Sequence, residues 1–506
     1  MKLYSAAQMR QLDAFAINTL KIPGAALMRR ASRHVSATVL ELLYKSANKS
    51  VVVFCGTGNN GGDGVGAAAN LVRDGISVRV FVVGDREKMT ADTLEMERRF
   101  VEYGGMVERF DSEDAMNAAN SCGIIIDALF GTGLTRPVTG DALEAIDIIN
   151  SSDAAVVSAD IPSGVHADTG DILGDCVNAD ITVTFSAAKP GLYLTPGAVY
   201  TGDIRVCGIG IPQELLSSVE TNTFAVCDGD ITLPKRRRDA HKGDFGRALI
   251  VAGSTGYTGA PYMAAAACSR AGAGLVSLGV PDGIYPVIAQ KCTGEMPFPM
   301  PGGDVIREAA WEELLPRVKA ADAILLGPGM RSTYGTRSLV EKTLCEATSS
   351  IILDADGINV LAGNIDILDK AAASVILTPH YGEFARIAGE IPEGQRLEAA
   401  RTFAKAHGCV VILKGYRTIT TLPDGAAYIN TTGNPGLAKG GSGDVLAGML
   451  TALLAQGFPV KDACIAAVYL HGLAGDFAAA RLGEYSVTPE NVISAIPQAF
   501  LSVTSE

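Results

Sequence analysis

From residue 51 the apolar positions fall into short unbroken runs, separated by Gly-rich turns and by stretches with helical spacing. Residues 51–54 form the first run; a Gly-rich loop, a helical stretch over 65–73 and a second run over 78–83 follow. Runs of this length without alternation are strands buried on both faces. Their separation by helices predicts βαβ units and a parallel sheet. Further strands are expected at 124–126, 155–158, 181–185 and 202–206. Between Pro212 and Gly243 the rhythm gives way to a polar stretch with Pro234 and the basic run 235–238, so a domain boundary is placed near residue 220. A second alternation then runs through 248–252, 274–279, 323–326, 351–353, 374–377 and 410–413, and ends in helices from Val445 onward. No fixed-period repeat or low-complexity tract interrupts it, which excludes a solenoid.

Length agrees with two domains, 1–220 and 221–506, because 506 residues exceed what one hydrophobic core ordinarily organises. A composition of 48% hydrophobic and 19% charged residues, with 57 Gly and one Trp, suits α/β layers with many tight turns. The net charge of −13 argues against nucleic acid as a partner, and the basic run 235–238 reads as a solvated linker. An anionic ligand would have to be held by backbone amides and helix ends. Ten Cys without a CxxC pair read as small buried hydrophobes in a reducing compartment. The N-terminus lacks the apolar core of a signal peptide, and no uninterrupted apolar stretch approaches the roughly 18 residues of a membrane span. A cytoplasmic protein with no membrane partner is expected.

Three motifs stand at strand ends in the first half. Cys55-Gly56-Thr57-Gly58-Asn59-Asn60-Gly61-Gly62-Asp63-Gly64 follows a strand and precedes a helix, and Gly56, Gly58 and Gly61 fit G-x-G-x-x-G. That spacing lets the backbone approach a pyrophosphate at the positive end of a helix dipole. Alone it is a weak signal, equally consistent with a tight turn. Asp127-Ala128-Leu129-Phe130-Gly131-Thr132-Gly133 and Asp160-Ile161-Pro162-Ser163-Gly164 each put an acid where an apolar strand stops. In an open parallel sheet such carboxyl ends share one crevice, although a strand-end Asp also serves as a helix cap.

In the second half, Asn434-Pro435-Gly436-Leu437-Ala438-Lys439-Gly440-Gly441-Ser442-Gly443-Asp444 precedes an apolar helix. Successive glycine amides at a helix start make an anion nest. Asp444, within the first turn, is placed to take a proton from a hydroxyl attacking phosphorus while the nest stabilises the developing charge.

The three N-terminal motifs in this order, with Gln8-Met9-Arg10, Ile22-Pro23-Gly24 and Lys189-Pro190-Gly191-Leu192-Tyr193, resemble the NAD(P)HX epimerase family over residues 1 to 215 or so. Arg29 departs from it, standing where the family usually carries Glu. The resemblance implies a Rossmann-like doubly wound sheet whose Asn59, Asn60, Gly61, Gly62 and Asp63, with Gly131, Thr132, Gly133, Leu134, Thr135, Arg136 and Pro137, embrace a hydrated dinucleotide. It also implies a potassium ion held by Asn60, Asp127 and Ser163, whose amide, carboxylate and hydroxyl oxygens suit a hard cation. Inverting a hydroxyl beside a ring nitrogen moves protons at that hydroxyl, and Asp160 is the candidate acid/base.

The C-terminal motif resembles the ribokinase-like superfamily, an α/β/α sandwich. His241-Lys242-Gly243, Gly253-Ser254, Tyr257-Thr258-Gly259-Ala260, Leu326-Gly327-Pro328-Gly329, Asp354-Ala355-Asp356, Thr378-Pro379-His380 with Gly382-Glu383-Phe384, and Lys414-Gly415 narrow the likeness to ADP/ATP-dependent NAD(P)H-hydrate dehydratases. Glu490-Asn491 departs from their usual Ser-Asp. By that resemblance Ala260, Gly329, His380 and catalytic Asp444 meet the hydrate, while Lys414, Gly415, Tyr416, Arg417, Thr418 and Gly443 meet ADP or ATP. Asp354 and Asp356 either cap the chain after Leu353 or orient magnesium, and His241 is left without a role. Nucleotide repair is the resulting expectation: epimerisation of hydrated NADH and NADPH, and ADP-dependent dehydration of the S form, in a homo-oligomer. The rivals are a ribokinase-like vitamin-precursor kinase that releases a phosphorylated product, and a non-catalytic RNA-associated module. The second is disfavoured by the net acidity and the intact Asp127, Asp160 and Ser163.

Overall fold

The computed structural model describes residues 1–392 and 394–504. The chain divides into two compact units, Lys2–Thr223 and a second formed by Met1 with the residues from Phe224 onward.

The first unit is built on seven parallel strands: β1 (Val51–Cys55), β2 (Val78–Val82), β3 (Val107–Arg109), β4 (Ile124–Ala128), β5 (Ala155–Ala159), β6 (Ile181–Phe185) and β7 (Asp203–Cys207), in the order 3-2-1-4-5-6-7. Alternate residues of β1 serve opposite cores: Val51, Val53 and Cys55 pack on one face, Val52 and Phe54 on the other. Coverage on both faces is why its sequence shows no polar alternation. The expected strands form, and β3 is an addition that reads as Val-Glu-Arg, too short and polar to stand out. It and β7 are the sheet edges, where charged residues are tolerated and discourage further pairing.

The strand order reverses between β1 and β4, which opens a crevice at their carboxyl ends. The register there puts Asp127 level with Phe54 on one side and Ser158 on the other. Helices α1 (Ala6–Asn18), α2 (Gly24–Lys45) and α3 (Asn59–Arg73) border the crevice or pack beneath it. Helix α3 starts six residues earlier than the hydrophobic pattern suggests, because the Gly-rich segment is its first turns rather than a loop. Gly61 is required by contact: a Cβ there would stand 1.8 Å from the Gly56 carbonyl oxygen. Close packing of helix on strand outweighs the poor helix propensity of glycine.

The second unit has a ten-stranded sheet. Its strands are β8 (Thr223–Ala225), β9 (Arg247–Val251), β10 (Leu275–Pro281), β11 (Met296–Met300), β12 (Ala323–Leu326), β13 (Ser350–Leu353), β14 (Val375–Leu377), β15 (Val410–Leu413), β16 (Ile419–Thr421) and β17 (Ala427–Ile429), in the order 11-10-9-12-13-14-15-16-17-8. Strands β9 to β15 pair in parallel, whereas β16 and β17 return as antiparallel neighbours. Two cores, one around Ile250, Leu325 and Ile352 and one around Leu249, Ile324 and Ile351, give the three layers of an α/β/α sandwich. The sequence pattern misses β8, β11, β16 and β17. Strand β11 carries Pro297 and Pro299, which a sheet accepts only at its edge.

Helices of this unit include α4 (Gly259–Arg270), α5 (Tyr381–Ala388), α6 (Ser442–Ala455), α7 (Val460–Leu482) and α8 (Pro489–Val503). By length and composition α7 could cross a bilayer, but 67% of its apolar window is buried in the core and it carries Asp462, His471, Asp476 and Arg481. Asn491, one of the two family departures, closes a capping box at the start of α8 by accepting from the Thr488 amide at 3.0 Å. In the basic run, Arg236 lies 3.9 Å over the Phe245 ring and donates to the Gly272 carbonyl, while Arg237 pairs with Asp239.

Gly61→Ala is expected to destabilise the first unit by about 1–3 kcal/mol, since the new methyl meets a backbone oxygen that cannot rotate away. Urea unfolding followed by a probe within Lys2–Thr223 measures this; an unchanged midpoint refutes the packing argument.

Candidate active sites

In the first unit a cleft of about 820 Å³ opens at the carboxyl ends of the strands. Asn59, Asn60 and Asp63 line it from the start of α3, Gly131 to Arg136 from the turn after β4, and Asp160 from the end of β5. Gly61, Gly62 and Pro137 do not line it. Gly61 faces Gly56, and Gly62 faces Met28 and Thr93, so both glycines serve the packing behind the cleft. Asp127 and Ser163 are also outside the lining and fully buried.

These two form one hydrogen-bonded group. Asp127 accepts from Ser163 Oγ at 2.6 Å, the Ser163 amide at 2.9 Å, Ser158 Oγ at 2.8 Å and the Leu129 amide at 3.2 Å. Burial raises its carboxyl, and these four donors work against that rise. Asn60 is different: its side-chain oxygen and nitrogen are both buried with no hydrogen-bond partner among the described residues. A buried amide carbonyl without a donor offers its oxygen to a hard cation.

Asp160 has a left-handed backbone (φ 66°) that turns the chain off β5. Its carboxylate pairs with Lys189, which is 1% exposed, and accepts from Thr184 Oγ1 and the Phe185 amide at 3.3 Å each. Lys189 also donates to Thr184 Oγ1 at 2.9 Å. Asp63 sits well above the ordinary carboxylate range through burial, aggravated by Asp160 and Asp13. Asp13, on α1, lies in the cleft lining and is pushed up to about 6, mainly by burial. Lys189 appears in the sequence only as a motif residue without a role, and Asp13 lies between the Gln8-Met9-Arg10 and Ile22-Pro23-Gly24 segments but belongs to neither.

In the second unit Asp444 lies in the first turn of α6, whose N-cap Gly441 is left-handed at φ 100°, a conformation that favours glycine. Lys414, at the end of β15, pairs with Asp354 at 2.7 Å and stands 4.0 Å from Glu383. A methyl on Gly443 would come 3.2 Å from Lys414 Nζ, so the ammonium sits directly under the glycine nest. Burial alone would lower the lysine, but Asp354, Glu383 and Asp444 together raise it. Asp444 is raised to about 7 by burial and by Asp354, with Lys414 opposing. A carboxyl poised there exchanges protons readily near neutral pH.

The remaining expected residues separate into groups. Gly329 packs against Tyr257 and Ala260, and its carbonyl accepts from Ser254 Oγ at 2.7 Å, which gathers three motifs at one corner. His380 caps α5 by accepting from the Glu383 amide at 3.2 Å and leaves its ring exposed. Gly415 and Thr418 close a turn on each other, Tyr416 is 52% exposed, and Arg417 donates to the Thr431 carbonyl at 2.9 Å. The two acids after β13 part company. Asp354 is buried and also accepts from Thr378 Oγ1 at 2.7 Å, whereas Asp356 binds the Arg331 amide and the Ser332 hydroxyl. His241 is exposed and caps a short turn with Asp244. His471 on α7, unsuspected from sequence, is buried, its Nε2 has no partner among the described residues, and burial pushes it down to about 4.

Residues 248–498 match the NAD(P)H-hydrate dehydratase family, and residues 24–191 match the YjeF-related protein N-terminus family. The bifunctional NAD(P)H-hydrate repair enzyme of Moorella thermoacetica is 37% identical over 100% of this chain and 98% of its own length. This chain belongs to the bifunctional NAD(P)H-hydrate repair enzymes. The homologous repair enzyme of Thermofilum pendens is 36% identical over 100% of this chain and 97% of its own. A ribokinase-like superfamily protein from Enterococcus faecalis superimposes with a TM-score of 0.50 at 28% identity, covering 57% of this chain and 99% of that one. Like the other repair enzymes, this chain is bifunctional, an NAD(P)H-hydrate epimerase and dehydratase in one.

Lys414→Met removes the cation that opposes Asp354 and Glu383. Asp444 should then ionise about one pH unit higher or more, moving the low-pH limb of dehydration upward from about 7. A pH–rate profile with an unmoved limb counts against this coupling.

Proposed function

We propose that the first unit epimerises the hydrated dinucleotide and the second dehydrates its S form with ADP as phosphoryl donor. The observation that carries this reading is Asp444, held near neutrality beside Lys414 at the glycine-rich start of α6. In the second unit the nest holds the donor's phosphates. Asp444 takes the proton of the hydrate's hydroxyl as that oxygen attacks phosphorus. Elimination of phosphate, a far better leaving group than hydroxide, then restores the ring double bond. Ala260, Gly329 and His380 face the hydrate in this scheme, and Lys414 to Thr418 with Gly443 face the nucleotide. The acidic surround of Asp444, Asp354 and Glu383 fits a divalent magnesium ion that neutralises donor phosphates.

In the first unit Asn59, Asn60, Asp63 and Gly131 to Arg136 hold the dinucleotide, and Asp160 moves a proton at the hydroxylated carbon. Gly61 and Gly62 pack the first turns of α3 behind the cleft, and Pro137 follows the β4 turn. The unpartnered Asn60 amide, lying against Gly131 in the turn that Asp127 and Ser163 brace, fits a potassium ion that would fix that turn relative to the start of α3.

Acid-hydrated NADH, both epimers mixed, is offered to the full chain with ADP and magnesium, and absorbance of the reduced nicotinamide is followed against an enzyme-free control. Complete recovery requires both activities; recovery of half removes the epimerase assignment, and release of a stable phosphorylated product replaces dehydration by a kinase. Asp444→Asn should slow dehydration by about 100-fold or more with nucleotide binding retained, as calorimetry would show. Replacing potassium by N-methylglucamine should slow epimerisation of the wild type but not of Asn60→Ala, measured by chromatography of the epimers.

A further inference from the structure

We infer that Asp13, on the wall of the cleft that also holds Asp160 and Lys189, is a second proton-transferring carboxyl of epimerisation. The inference rests on the epimerase reading of that cleft. It begins with the sequence of α1, whose buried residues Met9, Leu12 and Ala16 make one apolar stripe. Asp13 follows Met9 by four positions and so belongs to the stripe, where an acid is out of place unless the cleft requires it. Among the described residues its carboxyl has no hydrogen-bond partner, while it lines the cleft. Asp160, in contrast, is already engaged by Lys189, Thr184 and the Phe185 amide.

Inversion at a tetrahedral carbon explains why two groups are needed. The departing hydroxyl is protonated on one face of the ring, and the returning water is deprotonated on the other. A single carboxyl reaches one face. Asp13 in its acid form donates to the hydroxyl; the carbon–oxygen bond breaks, water leaves, and the lone pair of the neighbouring ring nitrogen becomes a carbon–nitrogen double bond. Water adds to the opposite face, its oxygen bonds to carbon, the electron pair returns to nitrogen, and the released proton goes to Asp160. The two carboxyls exchange roles in the reverse direction and reset through solvent, with no change in oxidation state. The charged groups lining the cleft around them are Arg10, Asp63, Asp92, Arg136 and Lys189. Burial, together with Asp160, lifts Asp13 to about 6 against the pull of Lys189, which keeps an acid form available near neutral pH.

The test uses the full chain with the purified R epimer of hydrated NADH and no nucleotide, so that dehydration cannot follow. Wild type, Asp13→Asn and Asp13→Glu are compared from pH 5 to 9 by chromatography of the two epimers. Asp13→Asn should lower kcat about 100-fold or more while KM stays within about threefold. It should also lose the decline in rate that the wild type shows as pH rises through about 6, where the acid form is titrated away. Asp13→Glu should lose rate but keep that decline. Dehydration of the S epimer with ADP, which runs in the other unit, should match wild type in both variants and report a folded chain. Wild-type kcat and pH profile in Asp13→Asn, a raised KM with kcat kept, or a vanished decline in Asp13→Glu would each overturn the inference. Failure of the wild type itself to interconvert the epimers would instead sink the epimerase assignment.

Discussion

A nearly buried ammonium set among carboxylates at a strand end organises each unit. Lys189 pairs with Asp160 in the first, Lys414 with Asp354 in the second. Withdrawing such a cation from water costs several kcal/mol, which the surrounding acids must offset, and removing one partner leaves an uncompensated buried charge. The arrangement therefore holds only while cation and acids stay together. Burial lifts the neighbouring carboxyls and each ammonium pulls against that rise: Asp13 stands at about 6 and Asp444 at about 7, with Asp63 well above its ordinary range. In a chain of net charge −13 the candidate proton-exchanging groups are thus buried acids crowded together, and the glycine-rich helix starts offer backbone amides to an anion.

The order of strands explains where these clusters sit. Parallel strands expose their carboxyl ends on one side of a sheet, and a reversal of strand order opens the layer above. In the first unit that reversal is between β1 and β4, so the Gly-rich start of α3 and the Asp127 turn necessarily face each other. Each acid following an apolar strand is then carried to the same crevice by topology alone.

That much was legible from sequence, because unbroken apolar runs ending in Asp or Gly carry both the strand and its chemical end. What escaped had no such local signature. Strands β3 and β11 are short edge strands, one polar and one with two prolines, which pair only because a neighbour supplies the register. The first turns of α3 looked like a loop because glycine propensity argues against helix, yet contact with the Gly56 backbone demands glycine there. Asp13 was invisible as a site residue because the α1 stripe reads as an ordinary amphipathic face, and only the folded crevice brings Asp160 and Lys189 near it. Lys189 and Glu383 were seen as motif letters without a role, since an ion pair between positions far apart in sequence has no spacing rule.

Asp127 and Asp160 look equivalent along the chain, each an acid ending a buried strand in the same sheet. Their environments make them opposites. Asp127 is fully buried and its two oxygens receive four donors, so it has neither a path to substrate nor a free lone pair with which to exchange a proton. Its hydrogen bonds tie the turns after β4 and β5 together. Asp160 sits on a left-handed turn that swings its carboxylate into the cleft, with an ammonium as its main partner. A partner that is itself a proton donor can follow the carboxyl through a change of charge, whereas a shell of amides and hydroxyls fixes it in one state. The distinction between a structural and a chemical aspartate is thus set by what donates to it, and the sequence specifies the aspartate without specifying the donors.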